Sequence, residues 1–308
     1  MFLGSLMQQR GVRILTYHSV GKRNHDMNVS PERFREQMEW LARNAEVIPL
    51  SAAFERQEGD EPQQTPEKLP SITITSTSTI ADNAAPFESK IQNPKSKIRV
   101  VITFDDGYLD NLLNAAPVLH ALGFPATVFI VAGRVGGTLN TEVASYRPAT
   151  DHDDTGDGVD ALMTWQDIGQ WIALGLDVGC HSMTHGRLSQ LSEDEQRTEI
   201  IDSLRLLRER TGRPIEAFAY PFGSAADYDA ISVRLVCEAG FACGLSNRYG
   251  VNGRHCDRWA MRRIWIDSTD DLRTFQAKVD GRLDILWILD SPAGLACRRA
   301  LNRLLRVK

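Results

Sequence analysis

The sequence lacks a long apolar run: no stretch approaches the roughly eighteen residues that would span a bilayer, so no membrane-crossing helix is expected. Its start, Met1 to Arg13, has only a short apolar patch before Gln8, Gln9 and Arg10, with no basic leader or small-residue cleavage site. The expected compartment is therefore the cytoplasm. A cysteine framework is also missing. The five cysteines (Cys180, Cys237, Cys243, Cys256 and Cys297) are widely spaced and contain no Cys-x-x-Cys pair, which excludes a disulfide scaffold and a zinc finger. There is no excess of positive charge: 35 Lys and Arg against 40 Asp and Glu leave a net −5, which argues against a nucleic-acid partner. What is present, 308 residues of which 42% are hydrophobic and 24% charged, suffices for one α/β barrel or about two ordinary domains.

Along the chain, short apolar runs alternate with segments of helical period, the rhythm of a parallel sheet with crossover helices. Arg13 to Tyr17 reads as a strand, and Ser30 with Pro31 as the N-cap and first residue of a helix. The rhythm recurs at Val100 to Phe104 with Leu109 to Leu122, at Ala126 to Val131, and where Thr164 and Asp167 open a helix closing near Gly175. The clearest helix is Glu193 to Arg210. Ser192 and Glu195 form its capping box, Ile200, Leu204 and Leu207 share a face, and Gly212 and Pro214 follow its end. Strands follow at Ala217 to Tyr220, Phe241 to Leu245 and Trp259 to Ile266, with a helix from Asp227 to Ala239. The count suits a distorted, incomplete (β/α) barrel spanning 12–280 better than two separate folds.

Two stretches break the rhythm. The segment at about 57–97 is rich in Pro, Glu and Gln and contains SITITSTSTI, so a disordered insertion is expected there. The segment at about 136–160 reads as a polar loop. The tail, 281–308, sets Arg298, Arg299, Arg303 and Arg306 among leucines, a pattern for a solvated surface helix or for peripheral contact with an anionic membrane.

Four constellations can carry chemistry. The apolar run Val100 to Phe104 stops at Asp105-Asp106-Gly107, which puts two carboxylates at the carboxyl end of a parallel strand, where barrels build active sites. Adjacent carboxylates repel unless a cation neutralises one, although Asp-Asp-Gly by itself is commonly a plain turn. His181 and His185 follow another short strand, and their spacing of four places both imidazoles on one side of a helical turn. Two imidazoles and a carboxylate leave an open metal position for water; two loop histidines without a metal are the ordinary alternative. His18 ends the first strand at the same face of the barrel. Tyr220-Pro221-Phe222-Gly223 is a fixed turn after a strand that can aim backbone N–H groups into the site.

Taken together and in order, TFDDGY, HSMTH and YPFG resemble the polysaccharide deacetylase family, the NodB-homology or carbohydrate esterase 4 group, over about Val12 to Ile266. The resemblance implies Asp105 as catalytic base, Asp106, His181 and His185 as metal ligands, and Tyr220, Pro221 and Phe222 as the substrate and oxyanion turn. The family's late Leu-x-Leu-His motif is absent; Leu15-Thr16-Tyr17-His18 stands in its place, as in the circularly permuted branch that includes deacetylases of poly-β-1,6-N-acetylglucosamine. His18 would then be the general acid. Ala219 occupies the position of the family's base-orienting Arg, for which Arg263, with Arg262 as the alternative, is the candidate replacement.

The activity implied is metal-dependent removal of N-acetyl groups from an N-acetylated sugar polymer or glycan precursor. Zinc is the expected metal, and a His₂Asp site also accepts cobalt, nickel or iron. The alternatives are hydrolysis of another amide or an O-acetyl ester, and a non-catalytic sugar-binding protein. His152 among its aspartates and His255 beside Cys256 read as loop residues. Cys180 reads as a small buried side chain. Trp165 and Trp171 are expected to pack a helix on the barrel, with Trp259 or Trp265 near the acetyl methyl.

Overall fold

The structure, a computed structural model, describes residues 11–22, 26–54, 98–138, 147–148 and 161–284. The insertion expected at 57–97, most of the loop at 136–160, and the tail from 285 lie outside the described residues, as do His25, His152 and Cys297.

Seven parallel strands form a closed ring: β1 (Val12–Tyr17), β2 (Ile98–Phe104), β3 (Thr127–Ile130), β4 (Asp177–Cys180), β5 (Ala217–Ala219), β6 (Cys243–Tyr249) and β7 (Met261–Trp265). They follow one another around the ring in chain order. The ring closes where Leu15 and Thr16 of β1 pair with Ile264 and Trp265 of β7. Ala45–Val47 adds a short parallel strand beside the first half of β2. This is a (β/α) barrel with one strand fewer than eight, the incomplete barrel expected from the sequence.

Strand alternation explains both the core and the site. Side chains of period two point alternately into and out of the ring. Ile14, Val101, Phe129, Ala217, Ala219, Cys243, Leu245 and Met261 pack together inside it. Leu15, Tyr17, Val100, Ile102, Phe104, Val128, Ile130 and Ile264 face outward onto the helices. Counting on by twos along the inward set leads from Ile14 through Thr16 to His18, from Val101 through Thr103 to Asp105, and from Met261 to Arg263 and Trp265. Thr16 and Thr103 meet at 3.3 Å as a layer over the apolar floor. The hydrophobic alternation that closes the barrel therefore aims polar side chains at its carboxyl mouth.

The helices cover the outside. Besides the single turn Ser51–Phe54, they are α1 (Pro31–Asn44), α2 (Ala116–Leu122), α3 (Trp165–Ala173), α4 (Glu193–Arg197), α5 (Ser203–Thr211), α6 (Ala230–Glu238) and α7 (Leu272–Val279). Local signals fix their ends: the side chain of Ser30 caps α1, Thr164 with Asp167 and Ser192 with Glu195 form capping boxes, and Gly212 closes α5 in the left-handed conformation. Trp171 of α3 is fully buried in the outer core and donates through Nε1 to the Asp177 carbonyl. Among the described residues no helix is long and apolar enough to cross a membrane.

Two expectations need correction. The single helix expected from Glu193 to Arg210 is divided by a π turn at Thr198–Asp202, and Asn111–Ala115 forms a second π turn ahead of α2. The described part of the polar loop contains Gly137–Thr138 and Arg147–Pro148 paired as an antiparallel ribbon. Periodicity reports which face is apolar and is blind to one inserted residue in the ladder.

One glycine shows how tightly the inside is filled. A Cβ on Gly179 of β4 would lie 2.3 Å from the Phe129 ring. Gly179→Ala is expected to lower stability by about 1–3 kcal/mol through overpacking, measured as a reduced urea midpoint with an unchanged slope.

Candidate active site

The carboxyl ends of β1, β2, β4 and β5, with Arg263 of β7, converge on one buried cluster. Asp105 extends the ladder one step beyond β2, its N–H donating to the Tyr17 carbonyl at 2.9 Å. The carboxylate is fully buried and receives two parallel hydrogen bonds from Arg263, Nη1 to Oδ1 and Nη2 to Oδ2, each 2.7 Å. Arg263 is itself buried inside the barrel, with Nε donating to the Ser246 carbonyl at 3.0 Å and its guanidinium 5.8 Å from the Phe129 ring centroid. Burial opposes ionisation of Asp105, but the Arg263 guanidinium, helped by His181 and His18, outweighs it and holds the carboxyl well below the usual carboxylate range. Arg262 lies elsewhere, donating to the Tyr249 carbonyl at 3.0 Å.

Asp106 leaves the strand parity. Its φ of 69° is left-handed, followed by Gly107 at 80°, and this turn swings its carboxylate toward the loop after β4. The turn is fixed from the other side by the Met163 N–H, which donates to the Gly107 carbonyl at 2.9 Å. Burial pushes the Asp106 carboxyl up, with neighbouring Asp105 adding to the effect. Oδ1 is buried without a hydrogen-bond partner and lies 3.5 Å from His181 Nε2 and 3.3 Å from His185 Nε2.

The histidine loop is not the helical turn that the spacing of four suggests. Residues 181–187 are irregular, with Ser182 and His185 both at φ 67°. The imidazoles nevertheless converge, their ring centroids 4.9 Å apart. His181 Nδ1 is 2.8 Å from the Ala219 carbonyl, which can only accept, so Nδ1 carries the proton and Nε2 presents its lone pair. Burial pushes both imidazoles down to about 4, leaving them neutral at neutral pH.

These donors suit a metal ion. Bonds of about 2.0–2.1 Å at tetrahedral angles separate ligand atoms by about 3.3–3.4 Å, close to the two distances from Asp106 Oδ1, and the three donor atoms all lie within 4.8 Å of one another. The two neutral imidazoles meet the requirement for deprotonated ligands, and a cation here would offset the burial that opposes ionisation of Asp106, whose Oδ1 has no hydrogen-bond partner. Among the described residues no other His, Cys, Asp or Glu group makes such a cluster; His255 is exposed and Cys243 is buried in the barrel.

Three further parts surround the cluster. His18, 6% exposed, lies against the Trp265 ring with centroids 4.8 Å apart, and its Nδ1 is buried without a partner. In the turn after β5, Tyr220 N–H donates to the Leu245 carbonyl and its hydroxyl to the Trp259 carbonyl at 2.9 Å, while Gly223 N–H donates to the Pro221 carbonyl. Phe222 sits at φ 60°, 41% exposed, with the Arg187 guanidinium 3.9 Å over its ring and the His185 ring 4.8 Å away. On the far side of the histidine loop is Glu199, which sequence reasoning missed; it looked like any other charge on an amphipathic helix.

A family model for polysaccharide deacetylases matches residues 92–243. A curated relative, the putative polysaccharide deacetylase YxkH of Bacillus subtilis, is 23% identical over 253 residues, covering 82% of this chain and 70% of that protein. The solved Streptococcus pyogenes deacetylase PplD in complex with acetate superimposes with a TM-score of 0.63 at 19% identity, over 88% of this chain and 98% of that one. IcaB from Ammonifex degensii gives 0.63 at 21% identity, over 89% and 98%. Both likenesses concern the barrel fold.

Proposed function

We propose that this chain, which a polysaccharide deacetylase family model matches over 92–243, is a member of that family and a metal-dependent hydrolase releasing acetate from the N-acetyl groups of a sugar polymer or glycan precursor. The observation that carries this reading is the division of labour between adjacent carboxylates: Asp105 is held ionised by Arg263, and Asp106 is turned away onto two neutral imidazoles. An ion held by Asp106, His181 and His185 supplies Lewis-acid polarisation of the amide carbonyl and acidifies the attacking water.

The remaining work belongs to the protein's own groups. Asp105 accepts the proton of the water whose oxygen bonds to the acyl carbon, and Arg263 fixes the carboxylate for that transfer. The Phe222 N–H, on the left-handed turn after β5, donates to the carbonyl oxygen as charge develops there. His18, protonated, delivers a proton to the sugar nitrogen as the C–N bond breaks, since an amide anion is a poor leaving group. The products are acetate and a free amino sugar. Trp265 holds the His18 ring and walls the acetyl side. Zinc suits two imidazoles and a carboxylate best, with cobalt, nickel and iron as chemically acceptable replacements.

Acetate release from N-acetylglucosamine oligomers, measured beside release from O-acetylated sugars, tests the reading. The expected result is turnover of the N-acetyl substrates, with His18→Ala costing about 10²–10⁴-fold on the amide and much less on the ester, whose alkoxide leaves more readily. Release from the esters alone, or from neither, overturns it.

A further inference from the structure

The loop that carries both imidazoles has no regular hydrogen-bond ladder, so something outside it must hold its shape. Its carbonyls are met on one side: Ala132 N–H donates to Ser182 O at 3.0 Å and Gly133 N–H to Met183 O at 2.9 Å. The His185 N–H donates within the loop to Ser182 Oγ at 3.0 Å, and the donors of Met183 and Thr184 are met on the other side by a single side chain. Glu199, 6% exposed, accepts from the Met183 and Thr184 amides through Oε2 at 3.0 and 2.9 Å, and from the Thr184 hydroxyl through Oε1 at 2.6 Å. All three donors lie between His181 and His185. Both residues that flank this grip, Ser182 and His185, are in the left-handed conformation, which side-chain-bearing residues enter only when their surroundings impose it.

The helix is deformed where it supplies this carboxylate. Glu199 lies in the π turn Thr198–Asp202 between α4 and α5, a distortion that is rare in helices and concentrated at functional sites. At the end of this turn the Ser203 hydroxyl donates to Glu199 O at 2.5 Å and lies 3.0 Å from Ile200 O, which also accepts from the Ser203 N–H. Ser203 Oγ in turn lies 3.1 Å from Cys180 Sγ, directly before His181. One buried network thus joins the helix to the loop at both ends of the grip.

We infer that Glu199 is a positioning residue for the metal centre, its carboxylate clamping the Met183–Thr184 segment so that the two imidazoles are presented together. The inference rests on the metal-site reading above. Glutamine at this position keeps the shape but not the charge: its oxygen can accept from the two amides while its N–H₂ donates to the Thr184 hydroxyl, so what is lost is the strength that ionisation gives these bonds. Supporting groups one step removed from the metal typically govern affinity by about 10–100-fold.

The test is zinc affinity, by competition with a chromophoric chelator, together with the visible spectrum of the cobalt-substituted protein, for wild type, Glu199→Gln, Thr184→Val and Asp106→Asn. The expected result is a 10–100-fold weaker Kd and an altered cobalt spectrum for Glu199→Gln, a smaller loss for Thr184→Val, and no tight binding by Asp106→Asn. Folded Glu199→Gln that binds zinc with wild-type affinity, even with a lowered Tm of the metal-free protein, makes Glu199 a purely structural residue and overturns the inference alone. Wild type that binds no zinc overturns the metal-site reading and the inference with it.

Discussion

Asp105→Asn is expected to lower kcat for acetate release by about 10²–10⁴-fold, with a bound metal equivalent retained. Asparagine fills the same space but cannot take a proton from water, so the loss falls on the chemical step. The ligand set Asp106, His181 and His185 is untouched, which is why metal content and KM are expected to stay near wild type. Stability must be checked alongside, because the substitution leaves buried Arg263 without its counter-charge. Steady-state kinetics on protein with verified near-UV dichroism and metal content separates the two effects. Equal losses in activity and metal occupancy would place Asp105 among the ligands instead.

The second large effect is expected at Arg263, where the same ion pair is broken from its other side. Arg263→Met leaves a carboxylate in the barrel interior with no partner, and removing one member of a buried pair costs about 3–5 kcal/mol. The pH dependence has a definite sign. In the wild-type fold the Asp105 carboxyl is depressed, since Arg263 overcomes the cost of burial. The stabilisation from this pair is therefore complete above the ordinary carboxylate range and is lost only as pH falls through the depressed value. Without the guanidinium, burial is opposed only by His181 and His18, and the carboxyl rises. The base must be ionised to work, so the acid limb of the kcat/KM profile is expected to move to higher pH. Arg263→Lys should not restore it, because one ammonium cannot reproduce two parallel bonds to the carboxylate and a third to the Ser246 carbonyl. A wild-type profile in Arg263→Met would show that the pair serves folding only.

Much of this arrangement is legible in the chain, and what escapes has physical reasons. Apolar runs of period two and their helical partners announce the barrel, and the abrupt stop of Val100 to Phe104 at Asp105 marks the end where its chemistry lies. The strand ends place His18 and Asp105 at one face of the barrel, whereas the parity that sets Arg263 and Trp265 inward is read from the structure. The conformation of the histidine loop escapes because a spacing of four is shared by a helical turn and by an irregular loop, and left-handed φ at Ser182 and His185 is imposed by tertiary contacts. Glu199 escapes because a π turn leaves no trace in a hydrophobic pattern that reads equally well as one uninterrupted helix. The choice between Arg262 and Arg263 also needed the structure: in the short β7 each lies on one face, and only the register with β1 and β6 tells which face is inward.

The central claim is that one metal ion on Asp106, His181 and His185 is required for acetate release. It is tested most directly by titrating chelator-stripped protein with zinc while following release from N-acetylglucosamine oligomers. The expected result is no release without metal and a rise that saturates at one equivalent per chain. Full release by the stripped protein, or none once one equivalent is bound, would contradict the account.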